Sequence, residues 1–314
     1  MQLFYSKDIT PNGICTLDPE ESRHAVRVLR LREGDTIHVT DGLGHLYQCS
    51  VLQANDRACV VEVVGNTSNQ ANKKPSIHLA VAPTKNPSRM EWLVEKAVEI
   101  GVGEITLLQC DHSERSFLKT ERLERIALSA MKQSLHLILP KINPAISLRE
   151  WLLRDHTPSP LRGTPPNLGG ELERSGTAIS LGGELERSGT AISLGGELER
   201  SGTAINLGGE QVGSFSTSPK LGEVDALRAD GGVCPLKFIA HCEADKPRMP
   251  LASAIKPGLD AVVLIGPEGD FSDEEITMTL DAGFQPVSLG PSRLRTETAA
   301  LYAVTAFNLI NDRQ

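Results

Sequence analysis

Ala261-Val-Val-Leu-Ile-Gly-Pro-Glu-Gly-Asp-Phe-Ser272 joins an apolar run to a glycine turn, and Ser272 with Glu275 three residues on makes a capping box that opens a helix. A strand that feeds a glycine turn and then a helix belongs to an α/β sheet, and such sheets bind ligands at the carboxyl ends of their strands. Gly266 and Gly269 let main chain approach a ligand closely, while Glu268 brings a carboxylate to the same crevice. Taken alone, the turn is equally well a structural one. A second junction follows shortly. Pro286-Val-Ser-Leu-Gly290 reads as a strand, Pro291-Ser-Arg-Leu-Arg-Thr-Glu-Thr-Ala299 as a polar turn, and the chain then enters an apolar helix. Arg293, Arg295 and Glu297 stand before or at the start of that helix, with Thr296 and Thr298 as candidate caps. A capped helix with solvated charges is the other reading, but two glycine loops facing one crevice favour a ligand site.

Working outward, strands alternate with helices from Ser76 onward, the pattern of an α/β domain with a mainly parallel sheet. Ile77 to Ala82, Glu104 to Cys110, Lys237 to Cys242, Asp260 to Gly266 and Pro286 to Gly290 read as strands. Pro87 to Gly101, Lys119 to Leu137, Ser272 to Ala282 and Glu297 to Asn311 read as helices. Before Val64 the chain reads as a small β-barrel or sheet, from alternating runs such as Thr36-Ile-His-Val-Thr and Tyr47-Gln-Cys-Ser-Val-Leu broken at Asp41-Gly42 and Gly44. One helix, Pro19 to Leu31, interrupts it and carries Arg23, His24, Arg27 and Arg30, with Arg32 just beyond. Gly65 to Pro75 is polar and reads as a linker. The expected domains are therefore 1–72 and 73–314, the second interrupted at about 155–235. There LGGELERSGTAIS stands at Leu168 to Ser180 and at Leu181 to Ser193, recurs with one change at Leu194 to Asn206, and begins again at Leu207. So short and glycine-rich a period does not build a helical solenoid, and its near-identity points to recent duplication, hence a flexible insertion; the functional alternative is a repeat-built partner site.

The 314 residues, 39% of them hydrophobic, suit two domains. No apolar run approaches the roughly 20 residues that span a bilayer, and Met1 to Pro11 lacks the order of a signal peptide, so the cytoplasm is the expected compartment and no membrane partner is expected. The six cysteines form no CxxC pair and read as buried, reduced thiols. His38, His78 and His241 fall in strands, and His112 and His136 lack ligand-spaced partners, so no metal site is expected. The absence of GxGxxG, P-loop and GxSxG motifs disfavours nucleotide oxidoreductases, NTPases and esterases. A formal charge of −8 means that nucleic acid would have to be held by a local patch.

Gly266 to Ser272 and Leu289 to Ala299 together resemble the paired signature of the bacterial 16S ribosomal RNA uracil-N3 methyltransferases of the SPOUT class. His24 to Asp35, Lys85 to Gly101, Ser113-Glu-Arg and Met131 to Pro140 are similar to further motifs of that family, so the resemblance covers essentially everything outside the insertion. It implies a PUA-like barrel that helps hold RNA, followed by an α/β domain tied in a deep trefoil knot. It also implies homodimers with active sites near the subunit interface, S-adenosylmethionine (SAM) as methyl donor, and 16S ribosomal RNA, in a nearly complete 30S subunit, as substrate. Carried over by position, the cofactor contacts are Ile265, Gly266, Glu268, Gly269, Leu289, Gly290, Leu294 and Arg295. Asp270, where the family often has glycine, and Ser292-Arg293, where Arg-Ile is commoner, depart from the pattern.

Uracil N3 carries a proton at neutral pH, so a cation and a carboxylate near the base are wanted. Arg295 fits the first role, and Glu297 or Glu268 the second. Arg23, His24, Arg27, Arg30, Lys85, Arg89 and Arg115 are the candidate RNA contacts; a solvated helix face for the first group and structural ion pairs for the last three are the alternatives. Lys96 and Glu99 read as bracing the core or a dimer. The rival functions are a SPOUT enzyme acting on another RNA position or a ribose hydroxyl, and a catalytically silent RNA-binding assembly protein.

Overall fold

The structure is a computed structural model that describes residues 2–11, 13–69, 75–114, 119–154, 234–243 and 247–312. The expected domain boundary at residue 72 and nearly all of the expected insertion lie outside the described residues.

Five strands form the first sheet: β1 (Leu3–Tyr5), β2 (Ile14–Thr16), β3 (Thr36–Thr40), β4 (His45–Gln53) and β5 (Val60–Asn69), in the order β1-β3-β4-β5-β2. The β4–β5 ladder shifts register between Leu46 and Tyr47, Gln48 and Cys49, and Val51 and Gln53; such irregularities curl a sheet into the half-barrel seen here. Its concave side holds Phe4, Leu17, Val39, Cys49 and Val61. The helix expected over Pro19 to Leu31 is shorter. Only α1 (Pro19–Arg23) is α-helical, His24–Val28 is wound as a π-helix, and Arg30 at φ +57° ends it in the left-handed conformation.

The second sheet holds β6 (Ile77–Val81), β7 (Glu104–Gln109), β8 (Lys141–Ser147), β9 (Leu236–Ala240), β10 (Met249–Pro250), β11 (Ala261–Ile265) and β12 (Gln285–Ser288), all parallel, in the order β10-β12-β9-β11-β6-β7-β8. The chain steps outward from β6 to β8, resumes at β9, and only then lays β11 between β9 and β6 and β12 between β9 and β10. Filling gaps between strands already placed departs from the usual unthreaded order and gives the trefoil-knotted SPOUT architecture that the resemblance implied. Every residue of β11 is buried. Ala261, Val263 and Ile265 face the cluster beneath α2 (Pro87–Ile100), α3 (Thr120–Ser134), α5 (Leu251–Ala254) and α7 (Thr296–Asn311). Val262 and Leu264 face Trp151 of α4 (Leu148–Leu152) and Ile276 of α6 (Asp273–Asp281).

Local sequence explains the element ends. Asn86 caps α2 through Ser88 N, Gly101 closes it at φ +109°, and the Ser272–Glu275 capping box opens α6 as expected. β8 carried no strand signal because Pro144 interrupts it; the residue sits on the sheet's edge, where register with β7 slips. Cys15, Cys49, Cys59 and Cys110 are buried free thiols, but Cys234 and Cys242 are exposed, and His241 and Cys242 follow β9 rather than lying in it.

The half-barrel is stitched to the segment between α3 and β8 by backbone. Gly44 N donates to Leu137 O (2.9 Å), Leu139 N to Gly42 O (2.8 Å) and the Thr40 hydroxyl to Leu137 O (3.2 Å). Gly42 sits at φ +74°, where a Cβ would meet the Tyr5 ring at 3.0 Å and Leu139 at 3.2 Å. Lys132 of α3 pairs with buried Glu21 of α1, whose carboxyl burial nonetheless pushes its pKa up.

His78 is buried in β6, with Nε2 2.8 Å from the Thr106 hydroxyl, its ring edge-on to Trp151, and Nδ1 without a hydrogen-bond partner among the described residues. Burial pulls its pKa below the ordinary histidine value, Glu104 opposing and Lys141 reinforcing. The unfolded chain therefore takes up this proton first, so the neutral ring's contribution is complete above about pH 6.5 and is lost as pH falls below it. Denaturant midpoints should show wild type losing more stability than His78→Gln between about pH 7.5 and 5.5. Parallel pH curves for the two proteins would contradict this assignment.

Candidate functional site

β11 delivers the first glycine loop at the centre of the sheet, flanked by the carboxyl ends of β9 and β6. Ile265 O accepts from Ala82 N (2.9 Å), which fixes where the loop begins. A Cβ on Gly266 would stand 3.1 Å from the Phe271 ring, and one on Gly269 would stand 2.9 Å from the Cβ of His112. Gly269 therefore needs glycine for space, and a side chain at Gly266 would crowd the buried Phe271 ring. Asp270 N closes a turn on Pro267 O (3.0 Å). Glu268 is exposed, and its Oε1 accepts from Lys85 N at 3.4 Å. The Lys85 ammonium pairs with Glu114 at 2.6 Å, which raises its pKa.

The second loop leaves β12 with Leu289 half-buried against the main core and Gly290 at φ +117°. No described residue lies within 4 Å of a Cβ built on Gly290, so its main chain borders open space among the described residues. Leu294 packs back on the core, and Arg295 takes the N-cap position of α7 without a side-chain cap bond. An exposed guanidinium at a helix N-terminus opposes the macrodipole, so helix stability does not account for Arg295 there.

Thr296 and Thr298 do not cap α7. The buried Thr296 hydroxyl instead donates to Gly266 O (3.0 Å) and ties the two glycine loops together. Glu297, the next residue, is 7% exposed. Its Oε1 lies 3.7 Å from Arg89 Nε, and its Oε2 is buried without a hydrogen-bond partner among the described residues. Leaving a buried acceptor unmatched costs stability, so its place beside two glycine loops asks for a donor from outside.

A carboxylate network braces the same region. Glu275 accepts from Asp111 N and Ser272 N, each at 2.9 Å, and the Ser272 hydroxyl donates to Asp111 Oδ2 at 2.7 Å. His112 Nδ1 stands 3.0 Å from Asp270 O. Sequence reading singled out neither Asp111 nor His112 for the site, because each matters through a partner more than 150 positions away.

The structure thus joins the loop of Ile265, Gly266, Glu268 and Gly269 to that of Leu289, Gly290, Leu294 and Arg295, and brings Arg89 to Glu297 and Lys85 to Glu268. Arg23, Arg27 and Arg30 are exposed beside the half-barrel, whereas His24 is half-buried with its ring 5.8 Å from that of Phe4. Arg27 is already paired with Asp56. Arg115 lies outside the described residues. Lys96 pairs with Glu95 and Glu99 on its own helix.

Comparison with known proteins identifies the family. The family described as RNA methyltransferase domain matches residues 71–159 and 216–308, more than half of the chain, and the RNA methyltransferase PUA domain matches 17–64. A probable rRNA-methyltransferase of Porphyromonas gingivalis is similar over 100% of this chain and 99% of its own at 33% identity and a TM-score of 0.69. A small-subunit ribosomal RNA methyltransferase E of Neisseria gonorrhoeae, solved bound to SAM, aligns over 99% and 98% of the two chains at 21% identity and a TM-score of 0.62. The Bacillus subtilis protein of the same name is 22% identical over 92% of this chain and 87% of its own.

Thr296→Val keeps the shape of the side chain but leaves Gly266 O unmatched in a buried place. It should cost about 1–3 kcal/mol of unfolding free energy by denaturant titration. A variant as stable as wild type would show that the loops do not depend on this bond.

Proposed function

Because this chain belongs to the RNA methyltransferase family and carries that family's PUA domain, we propose that it transfers a methyl group from SAM to N3 of a uridine in 16S ribosomal RNA, the uridine at position 1498. The observation that carries the chemistry is Glu297. Its carboxylate stands next to the two glycine loops, with Arg89 facing one oxygen and no donor among the described residues meeting the other.

The crevice suits SAM on its own geometry. Side chains at Gly266 and Gly269 would crowd their neighbours where the loop turns, and Gly290 offers bare main chain to open space among the described residues, so backbone groups are available to an adenine edge and a ribose. Ile265, Leu289 and Leu294, which pack in or against the main core, would meet the apolar parts of the cofactor. When bound, SAM supplies an electrophilic methyl carbon on a sulfonium.

The residues divide the remaining work. Glu297 takes the N3 proton through its unmatched oxygen while Arg89 holds the other oxygen in place. Arg295, exposed one residue earlier, stabilises charge developing on the uracil carbonyls. Glu268, exposed and drawn toward Lys85, serves the rim rather than the proton. Arg23 and Arg30, exposed beside the half-barrel, supply a local basic surface for phosphates, with Arg27 joining when it leaves Asp56; Lys85 is freed for RNA only by leaving Glu114. This proposal keeps the domains at 1–72 and 73–314, places the protein in the cytoplasm, and takes the 30S particle as substrate. It also makes the protein a homodimer, which the exposed Trp92 on α2 and Tyr302 and Leu309 on α7 support, since these helices pack together and leave large apolar groups uncovered.

Labelled SAM and 30S particles from cells lacking the modification should yield 3-methyluridine on nucleoside analysis. Arg295→Ala should cost about 10²–10³ in turnover. Glu297→Gln should cost about 10²–10⁴, while Glu268→Gln stays near wild type. Label in another base or a ribose would move the target; wild-type turnover in Glu297→Gln would remove the proton acceptor.

A further inference from the structure

Besides its turn bond to Pro267 O, Asp270 has three attachments at once. Its main chain adopts φ +66°, a conformation that glycine takes freely and aspartate tolerates better than most residues. Its Oδ2 accepts from Cys242 N (2.7 Å), just past the end of β9, and its Oδ1 accepts from its neighbour Phe271 N (2.9 Å). Its carbonyl oxygen stands 3.0 Å from His112 Nδ1, from the loop that follows β7. Glycine would satisfy the backbone angle, but only a side chain with two acceptor oxygens can reach both amides. The carboxylate therefore does something beyond permitting the turn.

The place it holds is the far end of the first glycine loop in sequence, two residues before the capping residue Ser272. The loop's near end is fixed by Ile265 O on Ala82 N, and its first glycine by Thr296. Between these anchors and the capping box at Ser272 lie Glu268 and Gly269, both exposed. Without Asp270's carboxylate this stretch would be tied to β9 by nothing among the described hydrogen bonds. The Cys242 thiol lies in the same place, its pKa raised by partial desolvation and by the Asp270 carboxylate.

We infer that Asp270 is a positioning residue that holds the glycine loop against the end of β9 in the shape that accepts SAM, so that ordering of the loop is completed before the cofactor arrives. Flexible loops that must order on binding lose affinity in proportion to the freedom given up. Removing the clamp should therefore weaken SAM binding and leave the chemical step at saturating SAM nearly intact. The inference rests on the reading of residues 266–272 as a SAM loop.

Calorimetric titration of the full-length protein with SAM separates the two ideas. Wild type should bind. Asp270→Gly, which retains the backbone angle and loses both side-chain bonds, should bind about tenfold more weakly, the loss expected for one or two hydrogen bonds. Asp270→Asn retains a single acceptor and should fall between them. In methyl transfer to 30S particles the glycine variant should raise KM for SAM by a similar factor, with kcat within about twofold and a melting temperature close to wild type. Equal SAM affinity in wild type and Asp270→Gly overturns the clamp, as does a fall in kcat and melting temperature with affinity unchanged. If the glycine variant does not fold, an Asp270→Asn protein with wild-type affinity overturns it. A wild-type protein that does not bind SAM overturns the SAM reading itself, and the clamp with it.

Discussion

The Thr296 hydroxyl on the Gly266 carbonyl is the contact on which the rest of the site depends. Gly266 follows β11, a strand buried along its whole length, and Thr296 begins the last helix, which reaches this point only after the chain has filled the gaps on either side of β9. One buried hydrogen bond thereby fixes the spacing of two loops far apart in sequence. It also sets Arg295 and Glu297 on either side of the junction, one exposed and one buried. One flanking residue is thereby a solvent-facing cation and the other a shielded carboxylate.

The same economy governs the approach of RNA. An overall charge of −8 repels a polyanion, so binding must rely on where cations stand rather than on how many there are. Arg23, Arg27 and Arg30 stand exposed beside the half-barrel, and the half-barrel is joined to the segment between α3 and β8 by backbone hydrogen bonds at Gly42, Gly44, Leu137 and Leu139 rather than by side chains alone. Backbone stitching of this kind sets the orientation of the basic surface relative to the glycine loops. Two cations near the glycine loops are already matched to carboxylates, Lys85 with Glu114 and Arg89 with Glu297.

Much of this was legible in the sequence, and the parts that were not have physical reasons. The strands and helices around the glycine loops follow from apolar runs and caps because those signals are local: Ser272 and Glu275 are three residues apart, and both sides of the capping box form. β8 was missed because Pro144 hides an edge strand, and the helix after Pro19 was drawn too long because periodicity says nothing of a π-turn or of Arg30 in the left-handed region. The knotted order came only from the resemblance, since no local pattern encodes threading. At the site, residue types located Glu297 and Arg295, but Thr296 was read as a cap when its hydroxyl serves a carbonyl 30 positions back. Asp270 looked like a departure from a glycine position until its angle and its two amide partners were seen together.

Hydrogen–deuterium exchange of the full-length protein with and without SAM tests the central claim most directly, because it asks whether the two glycine loops act as one binding element. Protection on adding SAM should appear together in residues 265–272 and 289–296, and both should lose it in Thr296→Val. Protection confined to one loop, or centred elsewhere in the chain, would contradict the account.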